Sequence, residues 1–550
     1  MSVRSGGRVE RECSEQRMEA SANPVADQDR KGRLSQVKRE ILEIKLRGRA
    51  RDAASGRISA RPASQNPLSF GQERIWFQSQ VSSNEALYHI PLLAWFDGSL
   101  NVRALEASLS EVVRRHEVLR SGFENENGVP VQIILPQVEF AVTHIDLRDF
   151  APEEQECEVR RRADLEALQP FELASPPLFR ATLLKLGSTR HALLLTVHHI
   201  VWDGWSSGLL IKEVGRLYAA AVAGEHSPLA PPTIQYADFA YWHRSFMDSE
   251  DGRRQIAYWK KRLEALPELS TLPTDRPRAA KQKHRGSTHS WRLPDDASDA
   301  FRVLARERNT TLFAALLATF KTLLFHYTGQ GDLAVGTTVA FRTRSELESL
   351  LGFFANALVL RTRLEDDPSF ETLLGRVHEA AIGAQSNQDT PFEKLVEELA
   401  PKRGLSHNPL FQIAFVLHNL PTEKLALPGL TVGVEETSTN SAAFDLVLHV
   451  FEDQPGLRAR LEYDADLFDR STIVRMASHF DALAQNVVRR PSGRLSALSL
   501  LTSQQEQELI AQSRTKLAQA ASAPTLLHHW VDIAAETKAR TAAVIAEGKN

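Results

Sequence analysis

The chain is 550 residues long, 42% hydrophobic and 25% charged, with a formal net charge of −3. That composition supports one large or two medium cores, gives no electrostatic reason to expect nucleic acid, and contains no apolar stretch near the roughly 18–20 residues a membrane span needs. Its cysteines, Cys13 and Cys157, suit a reducing, cytoplasmic setting and show no metal-ligand spacing.

Residues 1–32, rich in Ser, Glu, Arg and Gly, read as a disordered segment rather than a signal peptide. Residues 33–66 hold a basic amphipathic helix and a linker. In the helix Leu34, Val37, Ile41 and Ile44 recur at helical spacing up to Arg47 and Gly48. The linker is marked by Pro62 and, at its end, Pro67. A plain cap and a docking element for a partner protein are both open for this helix. Next, Leu68–Phe77 reads as a helix that packs Arg74, Trp76 and Phe77 on a core. Leu92–Phe96 then reads as a strand and Val102–His116 as an amphipathic helix ending at Arg115-His116-Glu117.

The stretch from Ala192 to Ala221 carries the most chemistry. Ala192–Val197 is an apolar run of strand length, and Leu210, Val214, Leu217, Tyr218 and Ala221 recur at helical spacing. Between them lies His198-His199-Ile200-Val201-Trp202-Asp203-Gly204, followed by Trp205, Ser206 and Ser207. Gly204 is expected to make a tight turn, and Ser206 or Ser207 to cap the helix. An imidazole titrates near pH 6.5, so a histidine at a strand end suits proton exchange at neutral pH. Neighbouring residues on extended backbone point to opposite faces, so one histidine can face a cavity while the other packs inside. A purely structural turn is the competing reading. Zinc is disfavoured, because adjacent histidines rarely reach one ion and no cysteine pair completes the set.

Further on, Tyr236–Trp242 reads as a brace and His289–Leu293 as a strand. Asp299–Arg308 reads as a helix, with Asn309-Thr310-Thr311 opening another. Leu461–Asp469 and the helix after it can be laid over the His-His turn and its helix, with Asp464 and Ala465 in the histidine positions. The two halves thus read as related lobes of which the first keeps a site. None of these segments carries an activated nucleophile, which argues against a covalent acyl-enzyme, and no Gly-rich phosphate loop is present.

Seven segments in order make the chain resemble the condensation domain of nonribosomal peptide synthetases. They are Leu68–Phe77, Arg115–Phe123, the His198–Gly204 turn, Tyr236–Trp242, Leu351–Asn356, Asn387–Glu393 and His407–Phe411. The resemblance implies an α/β (α+β) fold: two chloramphenicol acetyltransferase-like lobes in a V-shaped pseudo-dimer, an N-lobe over 67–237 and a C-lobe over 238–500, with a tunnel between them. It implies amide formation between a donor acyl or peptidyl thioester and the amine of an acceptor aminoacyl thioester. Both would ride on the 4′-phosphopantetheine arms of carrier proteins, with no cofactor or metal bound by the domain itself.

By the same resemblance His199 serves as base or orienting group, His198 is structural, and Asp203 with Gly204 holds the turn. Arg285 is the first candidate for an ion pair with Asp203, with Arg115 and Arg120 behind it. Trp205, Tyr236, Trp242 and Asn356 would line the tunnel or the interlobe seam, Asn356 facing the site from the second lobe. Within 501–550, Leu527–Ala534 and Ala542–Glu547 resemble the opening of an adenylation domain. The partners implied are donor and acceptor carriers, a downstream adenylation domain, and an upstream synthase through the 34–47 helix, with neither nucleic acid nor membrane. A starter-type enzyme acylating the first amino acid from acyl-coenzyme A or an acyl carrier is the alternative, supported by a domain that begins near Met1. An epimerisation domain and a non-catalytic docking platform rank below it, and a heterocyclising domain is disfavoured because that branch replaces the histidine pair with aspartates.

Overall fold

The computed structural model describes residues 57–81, 85–267, 272–399, 407–418, 425–436, 439–452, 456–502 and 504–511. The 34–47 helix and the 527–547 segment lie outside the described residues.

The first lobe is built on a five-stranded sheet. Strand β1 (His89–Gly98) is followed by helix α1 (Val102–Arg115), and strands β2 (Val142–Asp146), β3 (Phe179–Lys185) and β4 (Arg190–His198) complete the local part. The sheet order is β1-β4-β3-β2, with β1, β4 and β3 antiparallel and β2 parallel to β3. Both faces are covered, which explains the unbroken apolar run of β4. Leu193, Leu195 and Val197 join one core with Leu105 and Leu109 of α1 and Val214 and Leu217 of α2 (Gly204–Ala223). Ala192 and Leu194 point the other way, onto Val159 and Ala163 of α3 (Pro152–Leu168).

A six-stranded sheet builds the second lobe, in the order β5 (Gly286–Arg292), β10 (Arg458–Asp464), β9 (Leu446–Phe451), β8 (Ile413–His418), β6 (Asp332–Val339), β7 (Asn356–Arg363). Its core takes in Leu316, Leu317 and Phe320 of α4 (Leu312–Thr328) and Met476, Phe480 and Leu483 of α5 (Arg470–Arg489). Strands β5, β10 and β9 are antiparallel and β8 is parallel to β9, the same pattern as β1-β4-β3-β2. The chain is therefore two related lobes. His198 ends β4 opposite His89, and Asp464 ends β10 opposite Gly286, so Asp464 holds the position of the first histidine.

Two segments of the second half pack on the first lobe. Strand β11 (Leu430–Glu436) adds to the outer edge of β1, antiparallel, with Ala94 opposite Val434. Phe341, Leu347, Leu351, Phe353 and Phe354, from the connection between β6 and β7, are buried in the first core. Helix α6 (Tyr236–Met247) contributes Tyr236 and Phe239 to that same core. No single helix among the described residues is long and apolar enough to cross a membrane.

Candidate active site

Strand β4 stops at His198 because the next three residues turn as a single 3₁₀ segment, His199–Val201, before α2 begins at Gly204. His198 caps that turn: its Nδ1 accepts from the Ile200 amide at 3.2 Å. The ring is buried among Tyr88, His89 and Phe171, with centroids 5.8–6.2 Å away. Burial holds it well below the usual histidine pKa. It is a neutral packing group and does not line the cavity.

His199 faces a cavity of about 2470 Å³ that lies between the lobes and draws its walls from both sheets. The ring sits edge-on to Phe353 at 4.8 Å, and its Nδ1 lies 2.5 Å from the Trp202 carbonyl oxygen. A carbonyl only accepts, so Nδ1 carries the hydrogen and Nε2 keeps its lone pair. Burial lowers the pKa of this imidazole, with the Trp202 carbonyl and the Asp203 charge opposing. At neutral pH the ring is therefore uncharged, with one nitrogen fixed as donor and the other left to accept a proton.

Asp203 is the N-cap of α2. Its Oδ1 accepts from the Ser206 amide at 2.8 Å and the Ser206 hydroxyl at 2.7 Å, so the cap is the aspartate and not Ser206 or Ser207. The Arg342 guanidinium donates to Oδ1 at 3.1 Å and Oδ2 at 3.3 Å, and the Phe354 amide donates to Oδ2 at 3.1 Å. Both side chains of the ion pair are 2% exposed. The arginine expected here was Arg285, with Arg115 and Arg120 behind it; the structure corrects all three. Arg285 directly precedes β5 of the other sheet and makes a largely exposed pair with Asp466 at 3.2 Å. Arg115 is held by Glu213 at 3.4 Å and by the Leu229 and Ala230 carbonyls, and Arg120 bonds the Leu135 and Pro136 carbonyls. Arg342 lies instead on the β6–β7 connection that crosses to the first lobe, its guanidinium 4.0 Å over the Phe354 ring.

Gly204 is the first residue of α2 and shows no positive φ. A Cβ there would meet no atom within 4 Å, so the tight turn expected of this glycine is not what the backbone requires, and it lines the cavity. Trp205 lines the cavity and donates from Nε1 to the Glu348 carbonyl across the seam at 3.0 Å. Trp242 also lines the cavity, under the Arg344 guanidinium at 4.5 Å. Tyr236 is buried in the seam, its hydroxyl meeting Ser69 Oγ at 2.8 Å and the Phe353 carbonyl at 2.6 Å. Asn356 does not face the site. Its Nδ2 donates to the Gln388 and Thr390 carbonyls and its Oδ1 accepts from the Ala357 and Phe392 amides, all within 2.8–3.0 Å. It ties down the 388–392 segment, and Gln388 and Asp389 of that segment line the cavity. Among the described residues no group of three His, Cys, Asp or Glu side chains could hold a metal ion.

Comparison with known proteins places this geometry. Residues 63–510 match the family model "Condensation domain". One of the linear gramicidin synthase proteins of Brevibacillus parabrevis is 41% identical over 488 residues, 88% of this chain and 6% of that protein. Phosphinothricin tripeptide synthetase PhsC from Streptomyces viridochromogenes is 36% identical over 86% of this chain and 44% of its own length. The chain thus spans less than half the length of these curated relatives. Among solved structures, the X-domain from teicoplanin biosynthesis aligns with a TM-score of 0.75 at 29% identity, over 81% of this chain and all of that one (100%). The first condensation domain of the CDA synthetase shares the fold, with a TM-score of 0.67 at 23% identity over 80% of this chain and 99% of that one.

Proposed function

This chain belongs to the Condensation domain family, and from that membership we propose that it forms an amide bond between two thioester-bound groups that meet in the interlobe cavity. One carrier protein presents an acyl, aminoacyl or peptidyl thioester on a phosphopantetheine arm, and a second presents an aminoacyl thioester whose amine attacks. The amine's lone pair forms the C–N bond, the C–S bond breaks, and the donor's thiol leaves as the acyl group passes to the acceptor. Thioester aminolysis runs downhill, so the main task is placement. Confining both reactants to one cavity can supply roughly 7–11 kcal/mol of barrier reduction.

The observation that carries this reading is the fixed tautomer of His199. Its Nδ1 is committed to the Trp202 carbonyl and its ring lies on the cavity wall, so the remaining nitrogen is the one group of the turn suited to take the proton an attacking amine must lose. Asp203 acts through the turn, since its carboxylate already accepts from Ser206, Arg342 and the Phe354 amide. The donor is read as carrier-bound rather than a free acyl-coenzyme A, in keeping with relatives that are peptide synthetases more than twice the matched length. The experiment supplies an aminoacyl carrier as acceptor with either an aminoacyl carrier or an acyl-coenzyme A as donor, and reads the product by mass spectrometry. Amide from the carrier pair, reduced sharply by His199→Ala, is the expected result; amide from coenzyme A alone makes the domain a starter type.

A second reading has one observation behind it. A teicoplanin X-domain of 28% identity is solved in complex with OxyB, so the same fold can serve as a binding platform. A chain that holds a partner protein equally well with and without His199, and forms no amide, fits that reading instead.

A further inference from the structure

The two sheets that wall the cavity differ in chemistry. The first presents Ile90, Leu92, Leu193 and Leu195; the second is apolar at Leu358, Leu360, Val416 and Phe451 but polar along its β5–β10 edge, at Thr288, Ser290, Arg460 and Glu462. The contrast follows from strand parity. On β10, Ala459, Leu461 and Tyr463 point into the second core, leaving Arg458, Arg460 and Glu462 on the cavity side. Glu462 pairs with Thr288 and Arg460 with Ser290 across the antiparallel β10–β5 ladder, and His449 of β9 lies opposite Arg460.

Glu462, partly buried, is unlike the arginine-paired acids of this protein. Its side chain is 25% exposed, and His449 Nε2 lies 3.8 Å away, beyond hydrogen-bond reach. Asp203, Glu213, Asp332 and Asp445 each hold an arginine. Among the described residues Glu462 accepts no hydrogen bond, and the Thr288 and Ser290 hydroxyls make none. A carboxyl partly withdrawn from water and without a protein donor gains from a donor brought into the cavity. Burial accordingly pushes Glu462 above the usual carboxylate range, with Arg460 opposing.

Resting on the reading of the chain as an amide-forming domain, we propose that Glu462, with the Thr288 and Ser290 hydroxyls, is a specificity subsite that selects a side chain donating a hydrogen bond, a hydroxyl or a carboxamide, on one of the two reacting aminoacyl groups. An anionic side chain is disfavoured by Glu462 itself. A cationic one meets Arg460 two residues along the same face, beside the His449 and His418 rings, whose Nδ1 and Nε2 lie 3.0 Å apart. An apolar one leaves Glu462 without a donor.

The test is a competition between shape-matched side chains. Threonyl and valyl groups are supplied together on the carriers, first as donors and then as acceptors, and the two amides are counted by mass spectrometry. In parallel, the N-acetylcysteamine thioesters of threonine and valine are titrated onto the protein by NMR, which needs no turnover. In one arm threonine leads valine by about tenfold or more, the worth of one hydrogen bond to a charged group. Glu462→Leu brings that ratio and the difference in affinity to about one, and Glu462→Gln, which keeps an acceptor, restores part of both. A ratio near one in both arms and no difference in affinity, or a preference that survives Glu462→Leu, overturns the subsite. A threonine preference in binding that Glu462→Leu removes, in a protein that forms no amide from any pair, supports the subsite while refuting the amide-forming reading.

Discussion

Arg342 reaches from the connection after β6 of the second sheet to Asp203 at the head of α2, 3.1 Å away, with both side chains sealed from solvent. The turn that carries His199 is therefore closed by a charge lent from the other half of the chain. Cutting Arg342 to Met leaves Asp203 buried with only neutral donors, and cutting Asp203 to Asn leaves the guanidinium without an anion. Each costs on the order of 3–5 kcal/mol in urea unfolding. Together they cost less than the sum, because the second change removes the charge that the first had stranded. A strictly additive double mutant would show that the two charges are not coupled.

The two histidines separate by what each replacement disturbs. His199→Ala removes the proton acceptor on the cavity wall and lowers the rate of amide formation by roughly 10²–10⁴-fold, with little change in melting temperature. His198→Ala empties a buried site between Tyr88, His89 and Phe171 and strands the Ile200 amide, so it lowers stability by about 2 kcal/mol or more. Equal rate loss from both with unchanged stability would contradict this division of labour.

The direction of the His199 shift fixes the acid side of the pH profile. The base works only when neutral, and burial lowers its pKa below 6.5. With the titration of the acceptor amine itself divided out, the rate is therefore flat through neutral pH and falls with a midpoint below 6.5. An acid-limb midpoint at or above 7, measured as kcat/KM on a carrier-independent thioester, would assign the limb to another group.

The His-His turn and the duplication of the lobes were legible because both are local: an apolar run of strand length, a turn, then a helical period, with a loose repeat in the second half. The ion-pair partner was not, because Arg342 lies 139 residues from Asp203 and nothing in an isolated sequence reports which arginine crosses the seam. Its one local signal is a guanidinium set directly after Ala340 and Phe341 at the end of a half-buried strand. Arg285 instead meets Asp466 beside Asp464, the turn that corresponds to the His-His turn in the other lobe. Strand β11 was equally hidden, since its partner β1 lies more than three hundred residues earlier. Asn356 misled for a different reason: an asparagine bridging two stretches of its own lobe carries the same letter as one aimed into a cavity.

Gly352 and Tyr236 make a contact that admits no side chain. A Cβ on Gly352, at φ +153°, would lie 2.1 Å from the Tyr236 ring, whose hydroxyl bonds Ser69 and the Phe353 carbonyl. Gly352→Ala forces the ring off those partners and shifts Phe353, the ring His199 leans on. Stability falls by about 1–3 kcal/mol and the rate of amide formation falls with it. Pairing Gly352→Ala with Tyr236→Leu recovers part of the stability, whereas a pair no better than the single change would place the strain elsewhere.

His243 makes the seam sensitive to acid. Its Nε2 lies 2.8 Å from the Asp389 carbonyl of the segment that Asn356 anchors, and its ring packs on Phe239 and Phe341. Burial pulls its pKa down to about 4. In the unfolded chain it takes a proton near pH 6.5, so between about 6.5 and 4 the unfolded state holds more protons than the folded one, and stability falls as pH falls through that window. The full gap amounts to about 3 kcal/mol below pH 4. His243→Phe keeps the aromatic packing and gives up one hydrogen bond, about 1 kcal/mol at neutral pH. The variant is thus slightly weaker than the parent at pH 7.5, and its deficit shrinks and then reverses as the solution is acidified towards pH 4.5. Parallel stability curves for the two proteins over that range would place the acid sensitivity in the other buried histidines, His198 and His449 among them.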